Sequence, residues 1–69
     1  MPLSMADIGI SYEIVRISGK DEVRNHLSEL GFVPGTKVMK VSDNGGNMIV
    51  QVKDSRVAID AQMANRIYV

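Results

Sequence analysis

The sequence predicts a mainly β fold, a small five-stranded barrel with one short α-helix after the first strand. Three observations lead there. Short runs rich in β-branched residues alternate apolar and polar positions and are separated by turn signals. One segment, Asp21 to Leu30, carries a helical stripe instead, with Val23, Leu27 and Leu30 at i, i+4 and i+7 and no internal Gly or Pro. Finally, Leu27-Ser28-Glu29-Leu30-Gly31-Phe32-Val33-Pro34-Gly35-Thr36 ends that helix and opens a strand with nearly every residue constrained by backbone geometry.

Taken in order, Ser11 to Ile17 reads as the first strand. Its apolar positions change parity from Tyr12 and Ile14 to Val15 and Ile17, which calls for a bulged or strongly bent strand. The helix follows. Gly31 sits where a left-handed C′ residue is wanted, and Phe32 at C″ can close back on Leu27 at C3, the contact of a Schellman motif. Pro34 blocks continuation, and Pro34-Gly35 is a ready type II turn into a strand from Thr36 to Val41. Asp43-Asn44-Gly45-Gly46-Asn47 is a hairpin loop leading to Met48 to Val52, where Met48, Val50 and Val52 share one face. Asp54-Ser55 makes the next tight turn. Val57 and Ile59 then alternate with Arg56, Ala58 and Asp60, Ala61 to Asn65 has room for one helical turn, and Ile67-Tyr68-Val69 forms the last strand. Strand, helix, three-strand meander, helical turn and final strand is the order of a small SH3-like barrel. The helix would plug one end through Val23, Leu27 and Leu30, which are therefore core residues.

Sixty-nine residues make a single domain, 1–69, near the lower size limit for one core. With no Cys there is neither disulfide nor thiolate site, so packing must supply a stability of a few up to about 10 kcal/mol. Reducing, cytoplasmic conditions suit such a chain. Met1-Pro2-Leu3-Ser4-Met5-Ala6-Asp7 lacks the basic and apolar regions of a signal peptide, and no apolar run approaches the roughly 20 residues of a membrane span. A soluble, unprocessed protein without membrane insertion is expected. Eight Lys plus Arg balance eight Asp plus Glu, which removes the attraction that nucleic-acid binders rely on, so no nucleic-acid partner is expected. Lys20, Arg24, Lys37, Lys40, Lys53, Arg56 and Arg66 are scattered among acids and read as solvated faces.

Leu27-x-x-Leu30-Gly31-Phe32-Val33-Pro34-Gly35-Thr36-x-Val38, then Gly45-Gly46, then Val57-Ala58-Ile59 and Ala64-x-x-Ile67-x-Val69 occur in an order and spacing that resembles the FeoA family, ferrous iron transport protein A, over essentially the whole chain. The resemblance implies a small cytoplasmic SH3-like protein that works with FeoB, the membrane ferrous-iron transporter carrying a GTP-binding domain. The same barrel looks like the C-terminal domain of iron-dependent repressors of the diphtheria toxin repressor type. Three positions depart from the pattern: Asn47 stands where many relatives have Pro, Asp54-Ser55 replaces a commoner Gly turn, and Lys40 occupies a strand position often apolar. The first two affect loop shape more than fold, since Asn and Asp accept turn conformations.

The inventory of reactive side chains is short, with one His, no Ser/His/Asp arrangement and no phosphate-cradling motif, so an enzyme is not expected. Gly45-Gly46 lacks the strand-to-helix setting of a nucleotide loop. Glu22, His26 and Glu29 fall on one helix stripe, but Glu22 and Glu29 are about 10 Å apart along the axis, too far to converge on one ion. No metal or cofactor is assigned. Met1, Met5, Met39, Met48 and Met63 are spread over different elements and read mostly as core filler. Tyr12, Phe32 and Tyr68 are too few for a polyproline groove.

The expected function is a non-enzymatic interaction module, monomeric, that binds and modulates a FeoB-type transporter. Val33, Pro34 and Gly35, with Asn44, Gly45, Gly46 and Asn47, are the candidate partner-binding residues, because both loops are rigid and offered by a small barrel. Two alternatives come from other classes. One is a metal-sensing or metal-handling barrel using Glu22, His26 or methionines. The other is an RNA-associated barrel, disfavoured by neutral charge and few stacking aromatics.

Overall fold

A computed structural model describes residues 1–69 and arranges them as six strands in two sheets, with two short α-helices and a 3₁₀ turn. The strands are β1 (Ser11–Glu13), β2 (Arg16–Ile17), β3 (Lys37–Asp43), β4 (Asn47–Val52), β5 (Ser55–Asp60) and β6 (Ile67–Tyr68). Helix α1 is Asp21–Glu29, α2 is Ala61–Ala64, and the 3₁₀ turn is Leu3–Met5. One sheet has the order β1-β3-β4-β5, all neighbours antiparallel, and the other pairs β2 with β6.

The five-strand expectation is corrected at the first strand, which is divided between the two sheets. The Ile14 N–H donates to the Thr36 carbonyl at 2.9 Å, and its own carbonyl accepts from Gly35 N–H at 2.8 Å. One residue later, Val15 N–H donates to the Tyr68 carbonyl at 2.8 Å. The hydrogen-bonding partner thus changes between adjacent residues. The parity break in the sequence marks this switch, with Ile14 buried and Val15 turned to solvent.

Helix α1 stops as its sequence dictates. Phe32 N–H donates to the Leu27 carbonyl at 2.9 Å and Gly31 N–H to the Ser28 carbonyl at 3.0 Å, the two bonds of a Schellman motif around a Gly31 φ of +102°. Leu27 and Phe32 are both fully buried in the core, while Val23 and Leu30 pack against it half-exposed. At the far end of the meander, Val52 pairs directly with Ser55, so the tight loop is Lys53-Asp54 and not Asp54-Ser55. Lys53 adopts φ +53°, the left-handed conformation a Gly or Asn would have announced. Strand β3 carries a bulge at Val41, where the register shifts between Lys40 and Ser42. The one-turn helix α2 is capped by Asp60, whose Oδ1 accepts from Met63 N–H at 2.8 Å.

The core is one cluster of twelve apolar residues, centred on Leu27, Phe32, Val38, Val50, Val52 and Ile67. Met48, Val50 and Val52 enter it from one face of β4, as their alternation predicts. Two members, Leu3 and Ala6, come from the N-terminal segment, which carries no periodic signal of its own. That segment is held by reciprocal bonds between Met1 and Val69, each 2.8 Å, and by a bridge between Pro2 and Tyr68. The methionines divide differently from the filler reading. Met48 is core and Met63 packs against it, but Met1 and Met5 are exposed.

Replacing Gly31 with Ala is expected to lower unfolding free energy by about 1–2 kcal/mol, because a Cβ there meets the left-handed penalty. It would also sit at ordinary contact distance, 3.4 Å, from Val52 Cγ2, so strain and not collision sets the cost. Urea denaturation of the variant, compared with Gly35→Ala where nothing lies within 4 Å, measures it.

Candidate interaction surfaces

The Pro-Gly turn joins α1 to β3. Thr36 N–H donates to the Val33 carbonyl at 3.1 Å and Gly35 has φ +91°, a type II turn as expected. Pro34 and Gly35 are exposed and Val33 is half-buried. Between this turn and α1 runs an open cleft of about 260 Å³, lined by Ile17, Arg24, Asn25, Ser28, Val33 and Pro34 among others. Its walls mix apolar and polar groups, and it contains no carboxylate dyad, imidazole or other catalytic grouping.

The second predicted site, Asn44 to Asn47, is exposed throughout and closes with Asn44 N–H donating to the Asn47 carbonyl at 2.9 Å. Its shape depends on Asp43, whose Oδ1 accepts from Gly45 N–H at 2.8 Å while Oδ2 accepts from Lys40 Nζ at 3.0 Å. Lys40 corrects the reading of the basic residues as solvated. It is only 3% exposed and its ammonium also donates to the Ser4 carbonyl at 2.9 Å. Ser4 Oγ in turn donates to Asn65 Oδ1, and Gly9 N–H donates to the Lys40 carbonyl. One buried lysine therefore ties the N-terminal segment to the hairpin. The Gly45 amide, and then the Lys40 ammonium, hold the Asp43 carboxyl below the usual carboxylate range.

The two candidate loops are not brought together. They flank opposite ends of β3, whose seven residues span roughly 20 Å at the usual rise. They are two separate surfaces. A groove of about 450 Å³ that sequence reasoning missed lies beside the hairpin, along Asn47, Met48, Ile49, Ala58 and Asp60. Cross-strand register creates it, since Ile49 lies opposite Ala58 on the outward face of β4 and β5. Glu22, His26 and Glu29 are all exposed on α1, and no three His, Asp or Glu side chains are grouped so as to hold a metal ion. No helix is long and apolar enough to cross a membrane.

Lys40→Ala is expected to lose about 1.5–3 kcal/mol for the charged hydrogen bond to Ser4, with N-terminal amide exchange accelerated. The Asp43 contribution has a definite pH dependence. Its folded-state pKa is depressed, so its stabilisation is present above the unfolded carboxylate value and is lost as pH falls through the folded value. Asp43→Asn should flatten the acid side of the stability curve without changing its slope near neutrality, as read by denaturant titrations over a pH series.

The FeoA domain family profile matches residues 1–69. A crystal structure of FeoA described as an iron uptake regulatory protein is 28% identical, with a TM-score of 0.91 over 97% of this chain and 91% of that one. The zinc complex of Stenotrophomonas maltophilia FeoA, described as a prokaryotic SH3-domain protein and a candidate ferrous iron transport activating factor, is 31% identical. Its TM-score is 0.88, over 100% of this chain and 88% of that one. A manganese-dependent transcriptional repressor shares the fold, at 17% identity and a TM-score of 0.89, over 100% of this chain but 40% of its own. Comparison with curated protein sequences found no match. With a family profile that spans the chain and an SH3-like architecture shared with solved relatives, this chain belongs to the FeoA domain family, which is associated with ferrous iron transport.

Proposed function

We propose that the chain is a single-domain, non-enzymatic accessory protein of ferrous iron uptake, which docks on the cytoplasmic portion of a FeoB-type transporter and modulates it. The observation that carries this reading is the family match across residues 1–69. The chemistry of the surface agrees with it, because the clefts are open and lined by few titratable groups, whereas the rigid turns offer shape and modest apolar area. Val33, Pro34 and Gly35 form the primary contact, with the α1 cleft beside them receiving an apolar side chain of the partner. Asn44, Gly45, Gly46 and Asn47 form a second, spatially distinct contact on the far side of β3.

Titrating isotope-labelled protein with the transporter's cytoplasmic portion, with and without a GTP analogue, tests this. Saturable amide shifts are expected at Val33 to Thr36 and along the facing side of α1. Val33→Asp should weaken binding about tenfold by desolvating a charge at an apolar contact, while the spectrum stays folded. Unchanged affinity in the folded variant removes that surface from the proposal. The zinc in the Stenotrophomonas relative favours a second reading, metal handling. Anaerobic calorimetry with ferrous ion decides it, the required result being a strong site that His26→Ala abolishes.

A further inference from the structure

Strand β5 ends the four-stranded sheet, and its outer edge has no strand beside it. Its pairing with β4 determines which backbone groups that edge presents. A two-residue loop makes Val52 and Ser55 a hydrogen-bonded pair, so Val50 with Val57 and Met48 with Ile59 are also hydrogen-bonded pairs. Ala61 N–H continues the series by donating to the Gly46 carbonyl at 3.0 Å. Residues 55, 57 and 59 therefore point their N–H and C=O groups inward to β4, while Arg56 and Ala58 point both groups outward and Asp60 its N–H, its carbonyl being taken up by the first turn of α2.

The same three residues carry exposed side chains on one face of β5, with Val57 half-buried and Ile59 in the core on the other, beyond Ser55, which is exposed at the turn. Read along the edge they are a cation, a methyl group and an anion. That order is self-complementary. An antiparallel pair about a two-fold axis matches residues whose numbers have a constant sum, and only an even sum sets outward-pointing groups opposite one another. With Ala58 opposite Ala58, Arg56 falls opposite Asp60 at both ends and all three residues pair. Shifting the register by two leaves an end unpaired and sets Arg56 or Asp60 opposite Ala58. No Lys or Pro lies within β5 to guard the edge.

We propose that β5 pairs antiparallel with β5 of a second copy of this chain, about a two-fold axis through Ala58. Three pairs supply about four backbone hydrogen bonds, and two cross-strand Arg56 to Asp60 ion pairs set the register. The outward row then reads Ile49, Ala58, Ala58, Ile49 across the two copies, and it covers part of the Ile49 side chain, 39% exposed in one copy. The groove beside Ile49 and Ala58 lies at this seam. Asp60 caps α2 through Oδ1, and its Oδ2 makes no hydrogen bond or ion pair within the chain. The interface is small, of the weak and concentration-dependent class. This pairing replaces the expectation of a monomer and does not depend on which transporter the protein serves.

Sedimentation velocity across a concentration series, with amide exchange followed by NMR on the full chain, tests the pairing. The expected result is concentration-dependent association in which amides of Ala58 and Asp60 become protected, while those of residues 55, 57 and 59 keep the protection β4 already provides. Arg56→Glu should raise the dissociation constant about tenfold, and Lys20→Glu, with the same charge change at an exposed site away from β5, should not. Ala58→Pro, which deletes an outward N–H only, should abolish association while the amides facing β4 show that the fold persists. A protein that stays monomeric at millimolar concentration overturns the proposal. So does association that leaves the outward amides unprotected, or that responds equally to Arg56→Glu and Lys20→Glu.

Discussion

The turn out of α1 is the constraint on which the rest of the structure depends. Within the seven residues from Leu30 to Thr36 the chain must end a helix, bury Phe32 against Leu27 and reverse into β3, and it does so through two left-handed glycines, Gly31 at φ +102° for the cap and Gly35 at φ +91° for the turn. The two Schellman bonds satisfy helix-end carbonyls that would otherwise compete for water. Because Phe32 and Leu27 are both fully buried, the same cap anchors the helix to the core. A chain this short has few large side chains to spend on its core, so one aromatic residue serves both the cap and the centre.

Around that centre, the N-terminal segment is attached by a different kind of force. Leu3 and Ala6 enter the core, but between and beyond them the backbone meets polar partners. Lys40 supplies the central one, burying an ammonium between the Ser4 carbonyl and the Asp43 carboxylate. A lone buried ammonium would be costly, and two charge-assisted partners offset that cost. The cation thus couples two regions far apart in sequence, the N-terminal arm and the hairpin loop. Arg16 contributes a second polar clasp by stacking 4.0 Å over the Tyr68 ring, where β2 meets β6.

The proposed docking role rests on rigid backbone-defined loops. The grooves are open, Lys40, Asp43 and Asp60 are committed to structural bonds, and Asp21 and Arg24 form an exposed ion pair on α1. In that proposed role, the surface would bind by complementarity of shape and modest apolar area. The two loops lie at opposite ends of β3, so the two proposed contacts would not overlap at the Pro-Gly turn.

Local rules determined much of this molecule from sequence alone. The helix and its stop at Gly31, the Pro34-Gly35 turn, the hairpin at Asn44 to Asn47 and the inward face of Met48, Val50 and Val52 all depend on neighbours within a few residues, where backbone sterics and periodicity act directly. The bend in the first strand was also legible, as a parity change at Ile14 and Val15. What that bend does was not, because exchanging β3 for β6 as a partner requires residues more than 20 positions away. The burial of Leu3, the displacement of a tight turn onto Lys53, and the burial of Lys40 were decided the same way. Lys40 stood out in sequence as a polar residue at an apolar position, but its partners Ser4 and Asp43 could be assigned only once folding set the N-terminal arm across β3. The open edge of β5 likewise follows from sheet order, a property of the whole chain that no local pattern encodes.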